Sequence, residues 1–98
     1  MKDEYQLHAK EDELWATKGE KEDPILQGKI DAIGFLRGEA DPITDADVPM
    51  PQTDEDLDRL IVILETEKKG IAEYSFFGDP NWKIIDAQIE ICKWAKGI

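Results

Sequence analysis

The stretch TDEDLDRLIVILETEKKGIAEYSFFGDPNWKIIDAQIEICKWAKG, residues 53–97, decides the fold. Thr53 is a good helix N-cap, and Asp54, Glu55 and Asp56 behind it suit the positive end of a helix dipole. Leu57, Leu60, Ile61, Leu64 and Ile71 then recur at the spacing of one helical face. Gly78 favours a stop after Phe77, Asp79 can cap again, and Pro80 fits a first turn, where no amide hydrogen is needed. This pattern predicts helices over 54–77 and 80–96, joined by a tight turn at Gly78-Asp79-Pro80.

The second of these helices is apolar on most of its circumference. At 100° per residue Trp82, Ile85, Ile89 and Cys92 form one stripe, expected to pack on Leu57, Leu60, Leu64 and Ile71. Ile84, Ile91, Trp94 and Ala95 form another, nearly opposite. A surface helix needs one apolar stripe, so the second requires its own cover. That cover is either the N-terminal half of the chain or a second copy. The N-terminal residues look too polar for the task, and the expectation is therefore a homodimer that buries Ile84, Ile91, Trp94 and Ile98.

Working backwards, residues 39–52 carry Pro42, Pro49 and Pro51, which exclude a continuous helix and make Val48-Pro49-Met50-Pro51 extended. Between Glu39 and Asp58 there is no lysine or arginine. Glu39, Asp41, Asp45, Asp47, Asp54, Glu55, Asp56 and Asp58 form an acidic strip, a candidate surface for a basic protein partner. Helix capping accounts for the members at 54–56, and solvation of a loop accounts for those at 41–47 without any partner.

Before the linker, Asp23-Pro24 repeats the cap-then-proline start, and Ile25, Leu26, Ile30, Ala32, Ile33 and Leu36 mark a helix over 24–37 that Gly38 ends. Gly28 and Gly34 lie off the centre of that face, where a glycine either admits another backbone or is simply tolerated. Residues 3–18 are rich in helix formers. Tyr5, His8 and Trp15 share a face that Asp12 interrupts, and Leu7 and Leu14 lie elsewhere on the wheel. This reads as a polar arm, 1–22, loosely packed on the rest. The fold class is all-α: four helices in two hairpins within one domain of 98 residues.

Composition bounds function from another side. A formal net charge of −11 argues against direct nucleic-acid binding by phosphate neutralisation and against docking on anionic membranes. Cys92 is the one cysteine and lies on an apolar stripe, so it reads as core, in a reducing, cytoplasmic setting. No leader-like or membrane-spanning run occurs.

The chemistry-bearing residues converge nowhere. Asp45, Asp47 and Asp56 have the spacing of three positions of a calcium loop, but Pro49 and Met50 occupy positions that need an oxygen ligand and a glycine. His8 with Glu4 falls short of the three or four ligands of a zinc or di-iron site. Gly28-Lys29 lacks the rest of a phosphate loop, and the helix acids are wrongly spaced for a magnesium-dependent nucleotide pyrophosphatase. The expectation is a protein that is not an enzyme and needs no metal or cofactor. It is either a self-associating helical interaction module or an acidic inhibitor whose carboxylates imitate nucleic-acid phosphates to occupy a basic cleft. In style, though through no motif, the small, acidic, lysine-rich chain is similar to accessory proteins of phages and mobile elements. The alternative is a small-molecule or nucleotide binder with an aromatic pocket lined by Trp82 and Trp94.

Overall fold

The computed structural model describes residues 1–39, 43, 49–74 and 81–96. Among them are four helices and no strand: α1 (Glu4–Lys18), α2 (Pro24–Leu36), α3 (Asp54–Tyr74) and α4 (Asn81–Ala95). The turn expected at Gly78-Asp79-Pro80 lies outside the described residues, as do Val48 and most of the linker.

Local chemistry sets the helix ends. The Asp3 carboxylate accepts the Gln6 amide hydrogen at 2.8 Å and the Gln6 side chain accepts from the Asp3 amide at 3.1 Å, a complete capping box for α1. Asp23 accepts from the Ile25 and Leu26 amides at the start of α2. Thr53 Oγ1 accepts from the Asp56 amide, while the Asp56 carboxylate reaches back to the Gln52 amide. That backbone hydrogen bond is the main reason the Asp56 pKa falls below the usual aspartate value. At the far end of α2, the Gly38 amide donates to Phe35 and the Glu39 amide to Gly34. Gly38 holds φ at +76°, so this is a Schellman stop that glycine makes easy.

Helix α4 lies between α3 and α2, and α1 packs on α2. Successive helices alternate in direction. The Lys2 amide donates to the Ala95 carbonyl, Arg37 meets Glu4, Lys96 meets Asp58, and the Met1 amino group meets Asp54. The start of α1, the end of α2, the start of α3 and the end of α4 therefore share one end of the bundle.

A single core runs through all four helices. It includes Leu7 and Leu14 from α1, Ile30, Ile33 and Leu36 from α2, Leu57, Leu60 and Leu64 from α3, and Ile89, Ile91, Cys92 and Ala95 from α4. Two expectations about α1 and α2 change here. Leu7 and Leu14, not Tyr5, His8 and Trp15, are the inward residues of α1, because two leucines seven apart fall on one side of the helix and fill the groove beside α2. Ile25 is exposed rather than on the core face; it belongs to the first turn of α2, near the edge of the core.

Gly28 is used for close approach. A Cβ built there would lie 2.8 Å from Ile84 Cγ2 and 3.4 Å from the Ile84 carbonyl oxygen. The missing side chain lets α2 and α4 come together, and Ile84 fills the space.

Candidate functional site

The stripe assigned to a dimer is met within the chain. Ile91 is only 2% exposed. Ile84 is half-buried and seated on Gly28, and Ala95 is fully buried. Trp94 is half-buried, with the Lys2 and Lys10 ammonium groups 4.8 and 5.5 Å from its ring centroid. Lys2 Nζ also donates to the carbonyls of Trp94 and Lys96, acting as a cation at a helix C-terminus. Ile98 lies outside the described residues. The cover is therefore α2 together with the start of α1, and Ile91 cannot meet a second copy while the bundle is closed. The polar look of the N-terminal residues misled, because cover here needs a few well-placed apolar atoms and a lysine stem rather than a whole apolar face.

The acidic strip carries its own counter-ions. Asp54 is paired with the Met1 amino group, Asp56 with Arg59 at 3.4 Å, Asp58 with Lys96 at 2.7 Å and Glu39 with Arg37 at 3.3 Å. The bond to Asp58 raises the Lys96 pKa above its ordinary value. Glu55 is exposed, and Asp41, Asp45 and Asp47 lie outside the described residues. Two of the described carboxylates, Asp54 and Asp58, thus tie the start of α3 to Met1 and to Lys96 at the same end of the bundle.

Arg37 is the centre of that end. Its side chain is only 10% exposed and donates to Glu11 Oε2 at 2.7 Å and to Glu4 Oε1 at 2.8 Å. These bonds push its pKa upward, so the guanidinium stays charged and fastens α1 to the end of α2. His8 pairs with Asp12 at 3.3 Å rather than with Glu4. Among the described residues no group of three or more histidine, cysteine, aspartate or glutamate side chains could hold a metal.

Trp82 and Trp94 are twelve residues apart on α4, about 18 Å along its axis, and meet different neighbours. Lys68 and Lys83 lie 5.8 and 5.7 Å from the Trp82 ring. A shallow groove of about 330 Å³ between α3 and α4 is lined by Glu65, Lys68, Lys69, Asp86, Ile89 and Lys93, with neither indole. A pocket shared by the two tryptophans is not formed among the described residues. Cys92 is fully buried, and burial pushes its thiol up to about 12, so it carries no thiolate at neutral pH.

The most exposed apolar side chains lie instead on the outer faces of α1 and α3. Tyr5 is 81% exposed and Trp15 45% on α1, and Val62 is 61% exposed on α3. The α1 residues were visible in the sequence as a shared face. Val62 stands on the wheel among Glu55, Arg59, Glu65 and Lys69, an apolar residue on a charged side. The aromatic run at Tyr74–Phe77 lies beyond the described side chains.

Comparison with known proteins finds no match among family models, curated proteins or solved structures. Among the described residues no helix is long and apolar enough to cross a membrane.

Proposed function

We propose that the protein is a non-enzymatic interaction module that offers the outer face of α1 to a protein partner with a basic surface. The observation that carries this reading is Tyr5, 81% exposed on a helix that is itself firmly held. Leu7 and Leu14 anchor α1 in the core, Arg37 clamps it through Glu4 and Glu11, and Lys2 ties its start to the end of α4. A held helix loses little conformational freedom on binding, which favours rigid aromatic anchors. Tyrosine and tryptophan are the side chains most favoured in such anchors.

Tyr5 and Trp15 are ten residues apart, about 15 Å along the helix axis. Exposed Glu13 and the His8–Asp12 pair share that helix's surface. A groove with two apolar pockets and a basic rim is the complementary shape, and the net charge of −11 speeds encounter with it.

The test is crosslinking capture from cells, identification of the captured protein, and reconstitution of the pair from purified components. Wild type should bind the basic partner, and the Tyr5→Ser, Trp15→Ser double variant should lose it while keeping its helical circular dichroism. Equal affinity of wild type and double variant for the reconstituted partner would refute the proposal.

A further inference from the structure

We infer that the outer face of α3 is a self-association surface, and that its occupant is a second copy of this chain laid antiparallel about Val62. The inward face of α3 is Leu57, Leu60, Ile61 and Leu64, all buried. On the opposite side, Glu55, Arg59, Val62, Thr66 and Lys69 recur at alternating steps of four and three residues, and every one is exposed. These five residues share one exposed face of the helix, with the apolar residue at its midpoint. An apolar surface lined by Val62 and Ile63, with Asp58 and Arg59 beside them, marks that midpoint.

Charge complementarity selects a second copy as the occupant. Along the face and its flank the signs run negative at Glu55, positive at Arg59, negative at Glu65 and positive at Lys69, so each charge has its opposite at the same distance on the other side of Val62. Glu55 and Lys69 each stand seven residues from Val62, about 10 Å along the axis. A two-fold axis through Val62 therefore brings Glu55 of one copy level with Lys69 of the other, twice over. The same operation brings Arg59 level with Glu65 and sets Val62 against itself. A parallel pair would instead set Glu55 against Glu55 and Lys69 against Lys69.

Two carboxylates flank the seam, and each has its own counter-ion, from α4 or the residue that follows it. Asp58 is 2.7 Å from Lys96 and Glu65 is 3.7 Å from Lys93. Neither meets the other copy as a bare charge. Arg59 is 73% exposed at its side chain, with a single 3.4 Å contact to Asp56, and is free to turn outward. One pair of helices with a small apolar centre makes an interface at the low end of the usual size range, so the dimer is reversible and weak. Tyr5 and Trp15 lie on a different helix, so this inference and the α1 reading stand or fall separately.

Sedimentation equilibrium of the full chain, over roughly ten micromolar to one millimolar, tests it. Wild type should shift reversibly from 11.2 kDa to twice that mass. Val62→Glu should stay monomeric throughout with unchanged helicity. Lys69→Glu should weaken the dimer about tenfold, because two surface pairs are replaced by repulsions. Adding Glu55→Lys to Lys69→Glu restores opposite charges across the seam and should bring the dimer back. The inference is overturned if wild type remains monomeric at the highest concentration. It is equally overturned if Val62→Glu dimerises like wild type, or if the double charge swap binds no better than Lys69→Glu alone.

Discussion

Helices α1 and α4 are both fifteen residues long and both carry apolar residues on two sides, yet the bundle treats them oppositely. On α4 both sides turn inward: Ile89 and Cys92 towards α3, and Ile91 and Ala95 to the side that α2 covers. On α1 one side turns inward through just two residues, Leu7 and Leu14, while Tyr5 and Trp15 face solvent. The difference follows from position. A helix between two others is covered on both sides, whereas α1 has a close partner on one side only. An aromatic residue on a surface helix is thus no guide to the inward face. A leucine pair two turns apart can outrank it, since an aliphatic side chain fills an interhelical groove without burying a hydroxyl or indole N–H that needs a hydrogen-bond partner.

Substitutions on the two helices should separate the two uses of apolar surface. The largest effect is expected on the buried sides. Ile91→Ala and Leu7→Ala should each cost about 2–5 kcal/mol in chemical denaturation, the usual loss for emptying a core site. A Leu7→Ala loss of only a few tenths would show that α1 rests on the bundle without contributing to its core.

The contact that makes room for α4 should come next. Gly28→Ala gains helix propensity but places a methyl 2.8 Å from Ile84 Cγ2, and should lose about 1–3 kcal/mol from overpacking. Pairing it with Ile84→Leu, which keeps the volume but has no methyl branch at Cβ, should return part of that loss. Stabilisation by Gly28→Ala alone would mean that α2 and α4 can move apart freely.

The smallest effect belongs to the outer face of α1. Tyr5→Ala should change the unfolding free energy by no more than about 0.5 kcal/mol, as for other exposed positions. A loss comparable with Leu7→Ala would make the tyrosine a structural residue, and the interaction reading of that face would lose its basis.

Much of the fold is legible in local chemistry. Asp23-Pro24, Thr53 with its three acids, and the glycine at 38 each set a helix end through hydrogen bonds between near neighbours, which sequence displays directly. The inward faces of α3 and α4 were legible for a similar reason, since long aliphatic stripes have one economical place to go. The candidate site was less so. The acids at 54, 56 and 58 read as a free strip, but their cations come from Met1, Arg59 and Lys96; two of these are brought in from distant parts of the chain. Trp82 and Trp94, the lining of the alternative aromatic pocket, stand far apart along one helix, a distance already set by their twelve-residue spacing. Val62 is not legible in the sequence, because a lone apolar residue on a polar side carries no periodic signal until the opposite side is known to be buried.

Sequence alone determined that this chain is helical, where α1 and α2 begin and stop and where α3 begins to within a residue, and that Cys92 lies inside. Those properties depend on interactions within a turn or two, where spacing along the chain is spacing in the molecule. Only the tertiary structure decided what covers the second stripe of α4, which side of α1 faces inward, and which carboxylates remain open to a partner. Each depends on residues far apart in sequence. The Lys2 amide on the Ala95 carbonyl, Gly28 beneath Ile84 and Arg37 between Glu4 and Glu11 exist only once the helices have packed.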